Sequence, residues 1–428
     1  MAGSQATTVA EGVWRPWVRA QVVNALRHAA ALRPFRVDEF GTGPEAPTPG
    51  HVTAVNDLLI RLRRGLVQEV GRVRTAARTA LAAPGTPALQ ALVSTKEQAH
   101  TWVRAIERIW DFYFELFGQR QSRFGSWLLA CDRIALDCYQ HVYLGVPIPK
   151  SIPAPPPLAY LRTGFSPATF RRGIPLAHLG KQLNPYPLVQ LPYHRLVSPW
   201  TLGAVLHEVS HNLQNELGLA DAIPDSIART LAGHGVPRPI ALVFQSWQRE
   251  TFADMLGCLM GGPAVVRSLF DVVARSPRSV RTFVPGAPHP TPYVRALLSL
   301  QLLRQLGFAE EALALRRLWD RIYPAPEASD YPKGLIRSLP ETVPLVVHAI
   351  AGVPFPALGE RRLLDVVRFR AKDQASVQEA AARLAAGTDP GVLPERFYIG
   401  AVRTALDQRL ARADRLARNF YRQLARRA

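Results

Sequence analysis

The sequence predicts a mainly α fold with a small β component (α+β), built as a central core flanked by N- and C-terminal helical regions. Three observations lead there. Apolar residues recur at helical spacing along most of the 428 residues. Only one stretch, Leu188 to His194, reads well as a strand. Hydrophobic residues make up 48% of the chain, enough to bury a sizeable core. The length suits two or three domains, and composition places them at 1–146, 147–323 and 324–428.

Charge and cysteine content narrow the class. The formal net charge is +19, from 52 basic and 33 acidic residues. Lysine occurs only at 96, 150, 181, 333 and 372, so the charge is almost all arginine. A basic surface attracts nucleic acid, anionic membrane or acidic partners. Scattered solvated arginines explain this excess more simply. Cys131, Cys138 and Cys258 form neither a disulfide framework nor a CxxC pair, which fits a reducing compartment. Met1 to Val13 lacks the apolar centre of a signal peptide, and no run of about 18 apolar residues occurs. The expectation is a soluble, cytoplasmic protein without a transmembrane segment.

Taken in order, Val13 to Leu32 reads as a helix, and the Gly/Pro-rich Gly41 to Gly50 breaks the chain. Val52 to Leu81 follows, with Val55, Leu58, Leu59, Leu62, Leu66, Val70 and Val73 at helical spacing. Thr95 to Phe117 is a third helix whose aromatic stripe reads as core. Ser126 to Tyr143 carries Trp127, Cys131, Ile134, Cys138 and Val142 on one face. Asp137 and His141, four apart on it, read as a local hydrogen-bonded pair. The proline-rich Val146 to Leu158 excludes helix and central strand, and so marks a boundary. Pro192 makes the Leu188 to His194 strand an edge strand, able to pair with an extended substrate.

Trp200 to Gly218 is the next helix, with Ser198 as its cap, Pro199 in its first turn and Gly218 at its end. A short helix near Ser226 to Leu231 precedes a long one, Ile240 to Met260, opened by Pro239 and stopped by Gly261-Gly262-Pro263. Ala264 to Ala274 and a Thr291-capped Tyr293 to Leu306 follow. Leu313 to Ile322, Val377 to Ala386 and the chain from Pro394 to its end are also helical. In the last of these, Leu406, Leu410, Leu416, Phe420 and Leu424 form a stripe among arginines. That pattern reads as a terminal helix docked on the core, ahead of one lying on nucleic acid or an anionic membrane.

The chemistry concentrates in the Trp200 to Gly218 helix. His207-Glu208-Val209-Ser210-His211 is an HExxH pattern. Residues four apart share a helix face, so His207 and His211 can share one ion. Glu208, one step round, can reach a water on that ion without ligating it, as a general base. A catalytic zinc needs a third protein ligand. Gln214 and Leu217 stand where metzincins carry glycine and histidine, which excludes that class. Glu250 and Asp254 share one face of the later helix. Glu250 can complete the ligand set while Asp254 accepts the free N–H of a ligand histidine. His234, Asp221 and Asp225 are rival third ligands in a more loop-rich segment. Either His289 or Arg295, in His289-Pro290-Thr291-Pro292-Tyr293-Val294-Arg295, can stabilise an oxyanion near the metal.

In order, HEVSH, ETFAD and HPTPYVR resemble the HExxH, ExxAD and HPxxxxR motifs of gluzincin metallopeptidases. The resemblance is greatest to the HtpX-type heat-shock peptidases and their CAAX-prenyl-peptidase relatives. It implies a zincin-like core with His207, His211 and Glu250 as zinc ligands, Glu208 as base and Asp254 as partner of a ligand histidine. It spans roughly Leu188 to Leu306, and the chain departs from those relatives in lacking transmembrane helices. The function expected is therefore a soluble zinc metallopeptidase acting on a protein or peptide substrate. The alternative is an arginine-rich helical binding protein for nucleic acid or an anionic partner, with a structural or vestigial zinc site.

Overall fold

The computed structural model describes residues 2–147, 150–152, 154–164, 166–327 and 331–427. It is mainly helical with little strand, and its residues fall into two compact units. The first comprises residues 1–122 with 172–186, and the second comprises 123–171 with 187–428.

In the first unit, α1 (Ala2–Ala31), α2 (Pro49–Ala82) and α3 (Thr86–Gly118) pack on one another. Their apolar stripes become the core: Val55, Leu59, Leu66 and Val73 of α2 and Ile106, Tyr113 and Phe117 of α3 are buried. As the sequence predicts, the aromatic stripe of α3 is largely interior, with only Phe114 clearly exposed among the residues that end the helix. The inserted segment 172–186 belongs here through side chains. Tyr113 donates to Asn184 Oδ1 (3.4 Å), and the buried Tyr186 ring meets His51 edge-on at 4.7 Å.

The second unit begins with α4 (Gly125–Gly145), so the division falls about twenty residues before the expected 146/147 boundary. The reason is packing: Cys131, Ile134, Cys138 and Val142 of α4 lie in the same core as Val205, Leu206 and Val209. Asp132 also accepts the backbone N–H of Ala159 at 2.6 Å, tying α4 to the sheet. Within the proline-rich stretch, Ile148, Pro149 and Pro153 lie outside the described residues.

Strands β1 (Leu158–Leu161), β2 (Ala168–Phe170) and β3 (Leu188–Leu191) form one sheet in the order β1-β3-β2. β3 pairs parallel with β1, Leu158 opposite Leu188, and antiparallel with β2, Ala168 opposite Gln190. β3 is thus the central strand, which corrects the expected edge position. Pro192, the basis for that expectation, lies just beyond the strand's last residue and costs the ladder nothing. The sheet's edges are β1 and β2.

A short helix, α5 (Tyr193–Leu196), and a 3₁₀ turn at Pro199–Thr201 lead into α6 (Gly203–Glu216). Ser198 makes no side-chain cap; Leu202 occupies the cap position. Gly218 does end the helix, in the left-handed conformation (φ 73°) that glycine adopts without cost. α7 (Ala222–Gly233) precedes α8 (Arg238–Ser246) and α9 (Gln248–Gly261). The expected single helix 240–260 is therefore two. It bends at Trp247 (φ −87°, ψ −3°), whose indole turns into the core against Phe244 and Phe283.

α10 (Pro263–Val273), α11 (Pro277–Arg281), α12 (Pro292–Gln305) and α13 (Ala309–Ile322) follow. Thr291 caps α12 as expected, accepting the N–H of Val294. α14 (Leu335–Val347) continues into a π-helical turn at His348–Gly352. After it come a β4 (Pro354–Phe355)/β5 (Arg361–Arg362) pair and α15 (Leu363–Val366). α16 (Ala371–Ala386), α17 (Tyr398–Asp407) and α18 (Ala413–Arg426) complete the unit.

The C-terminal region shares the core of the second unit. Leu416, Phe420 and Leu424 of α18 are fully buried, the docked arrangement expected. The stripe itself is interrupted, since α17 ends at Asp407 and Leu410 is exposed. Asp137 pairs with Arg396 at 2.9 Å and accepts its backbone N–H, so the expected Asp137–His141 pair gives way to a long-range one.

The contact that matters most for the site is between α6 and α9. Ala253, Gly257 and Gly261 recur every four residues on α9, and glycine lets two helices approach closely. A Cβ at Gly261 would lie 2.5 Å from Val265 Cγ2 and 2.9 Å from Leu206 Cδ2. At the start of α6, Gly203 serves the contact with α10, where a Cβ would lie 2.7 Å from Ser268 Oγ. Gly261→Val is expected to cost about 1–3 kcal/mol by overpacking. A thermal melt at wild-type stability would show that the helices can separate freely.

Candidate metal centre

His207 and His211 stand on successive turns of α6 with their Nε2 atoms 3.1 Å apart. Glu250, in the first turn of α9, spans them: Oε2 lies 3.4 Å from His207 Nε2 and Oε1 lies 3.4 Å from His211 Nε2. Bonds of about 2.0–2.1 Å in tetrahedral geometry place neighbouring donors about 3.3 Å apart. The two imidazole nitrogens stand at that spacing and the Glu250 carboxylate reaches each of them with one oxygen, so the three side chains can hold a metal ion.

The groups behind them orient the site. His207 Nδ1 lies 2.8 Å from Asp254 Oδ1. Donation of Nδ1–H to this carboxylate leaves the Nε2 lone pair directed at the ion. Arg295, in the first turn of α12, grips Asp254 with two bonds, Nε to Oδ2 (2.8 Å) and Nη2 to Oδ1 (2.7 Å). Its Nη2 also lies 3.9 Å from Glu250 Oε2. Two buried carboxylates side by side are unfavourable without such a cation. Arg295 is thus engaged with Asp254, whereas His289 is open: its side chain is 59% exposed and Nε2 lies 3.4 Å from Glu250 Oε1.

The rival ligands are elsewhere. His234 is exposed and its ring bonds the Thr230 carbonyl at 2.8 Å. Asp221 and Asp225 are exposed and do not join the His207, His211 and Glu250 group.

Burial and charge shift the protonation states apart. Burial raises the Glu208 carboxyl to about 7, against the pull of His207. Burial would lower His207, but the bonds to Asp254 and Glu250 outweigh it and raise the ring to about 10. Burial and the neighbouring His207 charge lower His211 to about 4. Burial opposes ionisation of Glu250, yet its contacts with His207 bring it down to about 2. Asp254 likewise stays well below the ordinary carboxylate range because of Arg295 and His207.

A metal and the His207 proton compete for one lone pair. Apparent affinity for a divalent metal should therefore rise with pH, about tenfold per unit between roughly pH 6 and 9, one proton leaving per ion. Competition titrations at several pH values measure this, and a flat profile would contradict His207 as ligand.

Sequence reasoning missed how β2 is held. Asn212 donates Nδ2 to Thr169 Oγ1 (2.9 Å), and Arg171 donates to Asn215 Oδ1 (2.5 Å). These bonds seat β2 along α6 just beyond His211. The signal was weak, because polar residues at 212 and 215 look like the solvent face of an amphipathic helix. Tyr139 and Tyr143 of α4 likewise meet Glu216 at the helix end.

No family model matches this chain, no curated protein does, and no solved structure does.

Proposed function

We propose that this protein is a zinc-dependent metallopeptidase. One observation carries the reading: a three-ligand group on two packed helices has a buried carboxylate, Glu208, beside it that is not a member. A purely structural site would have no use for that carboxylate. Two imidazoles and one carboxylate, with a coordination position left over, suit catalytic zinc. Bound there, the ion supplies the Lewis acidity that activates a water and polarises a scissile carbonyl.

Glu208 takes the proton of the attacking water and passes it to the leaving amine. Burial pushes its carboxyl up, and the charge of a bound dication would draw it down again toward the ionised form that a base needs. His289, on the open side of Glu250, donates to the developing oxyanion. Arg295 acts through Asp254 and positions His207. The zincin-like architecture implied by the three motifs belongs to the same proposal, with a protein or peptide as substrate and a reducing, cytoplasmic setting.

Two facts bear on the setting and on the rival binding function. No helix among the described residues is long and apolar enough to cross a membrane, and all three cysteines are buried and free. Two of the four arginines of α18 bond their own chain, Arg415 to the Ala386 carbonyl and Arg422 to Gly387, and Arg427 just beyond the helix donates to Leu393. They cap the end of α16 and the loop after it, and the apolar stripe of α18 is spent on the core. The deciding experiment is zinc content with cleavage of a mixed peptide library, using Glu208→Gln as the blank.

A further inference from the structure

The first unit has a face that the metal centre does not explain. α1 and α2 run antiparallel: Arg63 donates to the Ala29 carbonyl, while Asn56, earlier on α2, bonds Phe35 beyond the end of α1. Helical spacing places Arg15, Arg19, Val23 and Leu26 on the flank of α1 beside α2. It places Ile60, Arg64, Val67, Arg74 and Arg78 on the flank of α2 beside α1.

The apolar members are unusually open. Val23 is 51% exposed, Leu26 49%, Ile60 41% and Val67 55%. The charge around them is predominantly positive, the exposed Asp57 one turn before Ile60 being the exception. Residues 12–35 contain no aspartate or glutamate, and α2 contains only Asp57 and Glu69. Glu69 is buried and paired with Arg72 at 2.7 Å. Among the described residues, Arg15, Arg19, Arg64, Arg74 and Arg78 have no acidic partner.

We infer that this face docks on a bilayer containing anionic phospholipid, with the arginines on headgroup phosphates and the four apolar side chains at the acyl boundary. Interfacial binding needs both ingredients, cationic groups for the surface charge and apolar groups to insert. Nucleic acid would use the arginines, but valine, leucine and isoleucine gain nothing against a phosphate backbone and offer no ring for a base to stack on. A second copy would bring the same positive face and be repelled.

The test is flotation of the full-length protein with vesicles of phosphatidylcholine alone or mixed with phosphatidylglycerol, at low and high salt. Binding only to the anionic vesicles, weakened by salt, is expected. Arg74→Glu with Arg78→Glu should weaken it at least about 25-fold, from about five-fold per arginine lost. Leu26→Ser with Val67→Ser should weaken it about ten-fold. As all four positions are exposed, melting temperatures should stay at the wild-type value. A polarity-sensitive dye on Val67→Cys should shift to the blue on anionic vesicles. Failure to float with those vesicles, or binding that neither pair of substitutions alters, overturns the proposal. Vesicle binding indifferent to the serine pair, together with tighter binding to a DNA oligonucleotide, would assign the face to nucleic acid instead.

Discussion

Glu208→Gln is expected to lower peptide cleavage by at least about 10²–10⁴-fold while zinc content and melting temperature stay near wild type. Glutamine keeps the shape of the buried side chain, so packing in α6 is preserved. It cannot accept a proton from an attacking water, and that is the only role assigned to this residue. Metal content is the control, because Glu208 lies outside the ligand group. Cleavage that survives at wild-type rate would reject the mechanism, whatever the protein does with zinc. Loss of zinc along with activity would instead show that Glu208 supports the ligands, and the assignment of a base would fail.

His207→Ala should abolish stoichiometric zinc, and the loss should exceed that from any neighbouring change. The substitution removes one donor of three and also strands the Asp254–Arg295 pair, which His207 Nδ1 now meets at 2.8 Å. Glu250→Ala should be nearly as severe, since Glu250 is the one residue that spans both imidazoles. Asp254→Ala should cost less, on the order of 10–100-fold in affinity, because it acts through the ring that it orients. Metal analysis after dialysis against limiting zinc ranks the three. Full zinc in the His207 variant would show that the ion, if bound, sits elsewhere.

The parts of this site that were legible in the sequence are those set by a single helical period. His207 with His211, and Glu250 with Asp254, each lie one turn apart, so their shared faces follow from spacing alone. That the two faces meet depends on tertiary packing, and the sequence showed it only through a motif order resembling known peptidases. Trp247 gave no sign of the bend, because a buried tryptophan fits a continuous helix equally well by periodicity. The place of β3 was misread for a related reason. Its neighbours, β1 and β2, run only four and three residues, too short to display alternation, and Pro192 points to an edge strand although it lies outside the ladder. α14 is hard to read from sequence, since Pro340 and Pro344 normally break helices, yet both sit inside one here. The insertion of 172–186 into the first unit depends on Asn184 and Tyr186 finding partners more than 70 and 130 residues away, which no local pattern encodes.

The glycine contact at the far end of α9 also has a mechanical meaning. Gly261 lies eleven residues beyond Glu250 on the same helix, a lever arm of about 16 Å at 1.5 Å per residue. If a side chain there acted as a fulcrum and tilted α9 by only about 5°, Glu250 would swing by about 1.4 Å. Metal–ligand distances tolerate departures of about 0.2 Å. A residue with no functional group, three turns away, can therefore set the aim of Glu250 through packing alone.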